Sequence, residues 1–171
     1  MEDNYDISAL KKKKRVNSRT KGSTFERSIA KLFNDRFNTT EFSRTSGSGA
    51  FATTHSLPPH LQIYGDLITP QNFRYCIECK KGYNKENLYS LYNYSSDIWE
   101  FINQCEKDSG SCNKLPLVIY QQDRHKPLAI TRKDIFPKYI QHIEFKNEEE
   151  QKYCMYLLED LLKLRDSWFL T

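Results

Sequence analysis

No stretch of this 171-residue chain approaches the roughly 18 consecutive apolar residues that a membrane span requires. The opening MEDNYDISALKKKKRVNSRTKG also lacks the apolar core of a secretory signal, so an intracellular location, cytoplasmic or nucleoid/nuclear, is the default expectation. Zinc-site spacing is missing too. The five cysteines are odd in number and irregularly placed. Cys76 and Cys79 stand three apart in a run that reads as a strand, where they face opposite sides, and no second Cys or His pair follows. His55, His60, His125 and His142 are scattered. Reduced cysteines packed as small apolar residues are the simpler expectation. No internal repeat is present. Apolar residues make up 38% of the chain and the mean hydropathy is −0.76, which describes a polar, soluble protein long enough for one domain with a full core.

Charge is present but uneven. The formal net charge is +4; residues 1–36 hold ten Lys/Arg against five Asp/Glu, and the remainder holds sixteen against seventeen. The excess therefore sits in the first helix and the arm before it, which suits a polyanionic partner or a solubilising tail. Residues 1–21, with the block KKKKR at 11–15, read as a flexible basic arm, and 22–171 as a single domain.

The pattern along that domain is mixed. Phe25, Ile29, Leu32, Phe33 and Phe37 recur near the 3.6 period and predict a helix with one buried face. TSGSGAFATTHSLPPHLQ reads as a loop or flap. IYGDLIT and FRYCIECK read as two strands forming an antiparallel pair around a Pro70-Gln71-Asn72 turn. SDIWEFINQCEK predicts a helix, LPLVIYQ and KPLAITR two more strands, and NEEEQKYCMYLLEDLLKLRDSWFL a long C-terminal helix, acidic at its start as the helix dipole favours. The order implies an α/β fold, a mixed central sheet flanked by helices. Two stretches admit two readings each. LYSLYNY could stack on exposed bases or pack against neighbours. Cys154, Leu157, Leu161, Leu164 and Trp168 could form a dimer seam or a core-facing stripe.

Four ionisable residues carry the chemistry: Glu26, Asp66, Glu78 and Lys80. Glu78 and Lys80 share a strand face because side chains alternate with period two, while Ile77 and Cys79 point the other way. Asp66 follows Gly65 at the start of its strand, and a hairpin would set it beside Glu78. Two adjacent buried carboxylates resist ionising together unless a cation or a proton lies between them. Oxygen donors with room for water suit Mg²⁺ or Mn²⁺, and a water on such a metal attacking a phosphodiester is the reaction this set supports. Each residue also has a plainer role. Glu-x-Lys can be a solvated face, Asp66 a turn residue, and STFE at 23–26 a capping box with Ser23 as N-cap.

Taken in order, KGSTFERSIAKLF, FSRTSGSG, GDLIT and FRYCIECKKG resemble the archaeal-type Holliday-junction resolvases of the PD-(D/E)XK nuclease superfamily. Lys21-Gly22, Glu26-Arg27, Arg44, Ser46-Gly47, Asp66 and the Glu78/Lys80 pair each match that pattern. The match covers residues 21–81. Residues 50–64 lengthen the segment before Asp66, and nothing in the resemblance accounts for the chain beyond 144. The resemblance implies a restriction-endonuclease-like core and a metal held by Asp66, Glu78 and the backbone carbonyl of Cys79. It further implies that Lys80 positions the attacking water, and that Glu26 joins the acidic cluster through a water or a second ion. Lys21, Arg27, Arg44, Ser46, Ser48 and Lys81 would contact DNA. The implied activity is Mg²⁺-dependent endonucleolytic cleavage, Mn²⁺ substituting, of four-way DNA junctions by a homodimer. A restriction or repair nuclease of the same superfamily, or a non-catalytic nucleic-acid-binding protein, are the alternative readings.

Overall fold

The computed structural model describes residues 17–45, 64–137 and 139–171. Helix α1 (Ser18–Phe37) buries Phe25, Ile29, Ala30 and Phe33 along one stripe, as the period predicts; Leu32 lies outside the stripe and is exposed. It starts earlier than the expected arm boundary. The Asn17 side chain accepts from the Arg19 N–H and caps the helix, so residues 18–21 are helical and belong to the domain rather than to the arm. Asn38, in the left-handed region at φ 50°, closes the other end. The Asn34 side chain then clasps the backbone of Phe42, donating to its carbonyl at 2.8 Å and accepting from its N–H at 2.9 Å. That clasp folds the following segment back along α1.

Two short strands, β1 (Ser43–Arg44) and β2 (Leu67–Ile68), pair with each other antiparallel. The expected hairpin between the Asp66 strand and the Glu78 strand is therefore corrected: the partner of β2 is β1. The main sheet begins with β3 (Tyr75–Lys81) and continues through helices α2 (Leu88–Tyr92) and α3 (Ile98–Ser111) to β4 (Leu115–Gln121), parallel to β3. Strand β5 (Leu128–Arg132) follows antiparallel, and β6 (Ile143–Lys146) and β7 (Lys152–Leu157) complete a mixed sheet of order β3-β4-β5-β7-β6. Two apolar clusters cover its faces. Ile77, Cys79, Leu117, Ile119 and Cys154 pack with the α1 stripe, while Val118, Tyr120, Ile130 and Met155 pack with Ile98, Phe101 and Ile102 of α3. The fold is the expected α/β one, a mixed sheet between helices.

The long C-terminal helix is not formed. Asn147 accepts from the N–H groups of Glu149 and Gln151, Glu150 takes φ 64°, and the chain turns from β6 into β7. Tyr153 and Met155 bury on the α3 side and Cys154 and Tyr156 on the α1 side, so both faces of β7 are covered and period-two alternation disappears. Only two four-residue helices follow, α4 (Leu158–Leu161) and α5 (Asp166–Phe169). Cys154 is thus in a strand and Trp168 in a separate helix, so no continuous seam of those residues exists, and Cys154, Leu161 and Leu164 are buried in this chain's own core. In α2, Leu91 is buried whereas Tyr89 and Tyr92 are 74% and 83% exposed; that tyrosine-rich stretch packs less than its composition suggested. Among the described residues no helix is long and apolar enough to cross a membrane.

Candidate active site

Among the described residues strand β3 is an edge strand of the main sheet, and Asp66 packs against its outer edge. Gly65 takes φ 71°, and a Cβ there would lie 2.6 Å from the Ile77 carbonyl oxygen and 2.9 Å from Cys76 Sγ. Glycine alone lets the backbone come this close. The close approach seats Asp66 against β3. The Asp66 N–H donates to the Ile77 carbonyl at 2.9 Å, its carbonyl accepts from the Thr45 N–H at 2.9 Å, and its Oδ2 accepts from the Cys79 N–H at 2.8 Å. Since a strand residue's N–H and C=O point to the same edge, the Cys79 carbonyl also faces the Asp66 side.

Glu78 is 1% exposed and Asp66 7%. Among the described residues neither Glu78 carboxylate oxygen has hydrogen-bond geometry with a partner, although the Lys80 ammonium rests against Oε1. Burial, then the charge of Asp66, push the Glu78 carboxyl up to about 8, with Lys80 pulling back. Burial likewise raises Asp66, opposed by the Cys79 N–H and Lys80 and reinforced by Glu26. For Lys80, burial works against the charge, but Glu78 and Asp66 outweigh it and hold the ammonium above its ordinary range. These are the signatures of a carboxylate pair short of positive charge.

Glu26 lines the same cleft, a space of about 610 Å³ shared with Lys21, Asp66, Glu78, Lys80 and Lys81. Its carboxylate is ion-paired with Arg44 Nε. The capping-box reading is corrected: Ser23 sits in the second turn of a helix that Asn17 starts, and its hydroxyl donates to the Thr20 carbonyl. Among the described residues no three His, Cys, Asp or Glu side chains converge closely enough to hold a metal ion, so Glu26 stands beside the Asp66–Glu78 pair rather than within it. The oxygen donors that line this cleft together are the Asp66 and Glu78 carboxylates, with the Cys79 carbonyl facing the Asp66 side, and among the described residues the Glu78 oxygens have no neighbour but the Lys80 ammonium and the Asp66 carboxyl to balance them. That set fits a hard divalent cation with several waters, as Mg²⁺ or Mn²⁺ prefers.

The basic residues are spread around the mouth. Lys21 is ion-paired with Asp123, which the Asn84 side chain also reaches at 2.9 Å. Lys81 donates to Gln121 Oε1 at 2.7 Å and lies over the Phe25 ring. Arg27 is exposed on α1. Ser46 and Ser48 lie outside the described residues. Two contributors were missed from sequence: Asp123, in the turn after β4, and Gln104 of α3, which accepts from Lys80 Nζ at 3.1 Å. Gln104 stands three residues after Phe101 beside the apolar stripe, a weak signal that acquires meaning only because α3 crosses β3 at Lys80.

No curated protein and no solved structure matches the chain. Residues 17–170 match the family described as "Phage putative PDDEXK endonuclease". That span takes in every strand and helix of the described residues, including the Asp66 turn and the Glu78-x-Lys80 strand. The chain belongs to this family, and it is a nuclease of the PD-(D/E)XK type, acting on DNA.

Proposed function

We propose that the protein is a divalent-metal-dependent DNA endonuclease, with Mg²⁺ the working ion and Mn²⁺ a substitute, whose site is Asp66, Glu78, Lys80 and the Cys79 carbonyl. The observation that carries the reading is the buried Asp66–Glu78 pair at the outer edge of β3, its Glu78 oxygens without hydrogen bonds among the described residues and a lysine alongside. When bound, the ion supplies positive charge to the phosphate and lowers the pKa of a coordinated water. Asp66 and Glu78 hold it, and their burial keeps competing water away. Lys80 orients the attacking water and faces the negative charge that builds on the phosphate oxygens. Glu26 acts one step out, steering Arg44 toward the substrate backbone. Lys21, Lys81, Arg27 and Arg44, with Ser46 and Ser48, contact DNA phosphates, for which guanidinium forks, ammonium groups and hydroxyls are suited.

The finer substrate reading is a four-way junction cut by a homodimer. Its support is the ordered motif similarity from Lys21 to Lys80, and a two-fold dimer suits a substrate offering two equivalent strands. The test is cleavage of a four-way junction beside a linear duplex of the same sequence, with Mg²⁺ or with EDTA. Paired, symmetrically placed nicks in the junction alone support the full reading. Equal cutting of both substrates removes the junction and leaves a general nuclease. No cutting of either by the wild type, or wild-type cutting by Asp66→Asn, overturns the metal-site assignment.

A further inference from the structure

Lys80 carries three N–H donors, and α3 supplies the surroundings that aim them. Its ammonium rests against Glu78 Oε1, donates to Gln104 Oε1 at 3.1 Å, and lies 5.5 Å from the centre of the Phe101 ring. Phe101 is buried and held between Tyr83 and Tyr120, with ring centroids 4.7 and 6.2 Å away, so its face is a fixed wall. Gln104 stands on the cleft wall one turn along the same helix, and its side-chain oxygen meets the ammonium there.

We propose that Gln104 is the positioning residue for Lys80: its side-chain carbonyl keeps the ammonium aimed into the cleft when Glu78 is engaged by a cation. The inference rests on the nuclease reading above. Glu78 cannot serve both roles equally, because a divalent ion on that carboxylate and the Lys80 ammonium compete for the same oxygens and repel each other. Released from Glu78, a four-carbon lysine stem would sample many rotamers, and ordering it again costs side-chain entropy. A neutral acceptor escapes this competition. It binds the ammonium at one point without adding a further negative charge to a pair of acids already short of positive charge. Phe101 contributes the complementary surface, since a ring face attracts a cation and cannot draw the metal away. With one N–H given to Gln104, the remaining donors are free for the water and the phosphate.

The test compares Gln104→Leu with Gln104→Glu, the second keeping an oxygen at the same reach. Melting temperature and DNA affinity check the fold and the binding surface, and both should match the wild type in both variants. For Gln104→Leu, single-turnover cleavage at saturating DNA in Mg²⁺ should fall roughly 10- to 100-fold with KM little changed, the loss expected for a hydrogen bond to a charged group. Gln104→Glu, which keeps the acceptor but adds a negative charge to the cleft, should recover only part of that rate. A second readout needs neither metal nor cleavage: labelling of Lys80 in the metal-free protein by an amine-reactive ester, followed by peptide mass spectrometry. Gln104→Leu should label Lys80 several-fold faster than the wild type, and Gln104→Glu should not. Wild-type cleavage and labelling by Gln104→Leu overturns the proposal, as does labelling of Lys80 in Gln104→Glu as fast as in Gln104→Leu. If the wild type cuts no DNA, the nuclease reading fails, and the labelling comparison still decides whether Gln104 holds Lys80.

Discussion

Replacing Glu78 by glutamine removes one charge from the most buried acid in the cleft, and its effect on stability should depend strongly on pH. In the unfolded chain this carboxyl ionises near 4.5; in the folded, metal-free protein burial and Asp66 hold the proton to about 8. Between those values the folded state binds more protons than the unfolded one, so stability is fullest below about pH 4.5 and declines as pH rises toward 8. At about 1.4 kcal/mol per pH unit the gap sets an upper limit of about 5 kcal/mol. The ion pair with Lys80 is already contained in that gap, but the new amide N–H groups need acceptors, so a net gain of about 2 kcal/mol at pH 8 is the working figure. For a chain of this size that corresponds to a melting temperature about 4–8 °C higher than wild type. At pH 5 the folded wild-type carboxyl is already protonated, and the difference should close. Mg²⁺ at pH 8 should raise the melting temperature of the wild type and leave that of Glu78→Gln nearly unmoved, with DNA cleavage lost. Scanning calorimetry at pH 5, 6.5 and 8, in EDTA and in Mg²⁺, reads all of this. A variant equally destabilised at pH 5 and pH 8, or stabilised by Mg²⁺ as much as the wild type, would refute the reasoning.

Gly65→Ala should cost about 1–3 kcal/mol and abolish cutting, because the added carbon meets the Ile77 carbonyl at 2.6 Å in a left-handed backbone and drives Asp66 off the β3 edge; a melting curve with a cleavage assay checks both. Glu26→Gln breaks the half-buried pair with Arg44, so a drop of about 1 kcal/mol should accompany the loss of activity. Full activity in that variant would confine the acids to Asp66 and Glu78. Deleting residues 1–16 spares the Asn17 cap of α1 yet removes Lys11, Lys12, Lys13, Lys14 and Arg15. The slope of log affinity against log salt should become shallower by up to about 4.5, at roughly 0.9 for each phosphate that the arm neutralises, with cutting retained at low salt; an unchanged slope means that the arm does not touch DNA.

What the chain determined locally was legible. The 3.6-residue recurrence from Phe25 to Phe37 specified α1 and its buried face, and alternation in CIECK put Glu78 and Lys80 together opposite Ile77 and Cys79. These depend on neighbours within a turn or a pleat, which a sequence displays directly. The β6–β7 hairpin was not legible, because β7 is covered on both faces and its unbroken apolar run mimics a helical stripe. Glu26 illustrates the same limit from the polar side: its spacing from Ser23 satisfied a capping rule, but Asn17 starts the helix and Arg44, eighteen residues on, takes the carboxylate. The nearness of Asp66 to Glu78 was anticipated for the wrong reason. It arises from the fit of Gly65 against the outer edge of β3 and from the Thr45 and Cys79 amides, not from a hairpin. Gln104 and Asp123 acquired their partners only when α3 crossed β3 and when the turn after β4 reached the start of α1. Residue types and short-range period thus named the acids and the lysine. Which groups surround them, and hence how their charges are balanced, was decided by contacts between segments that only packing brings together.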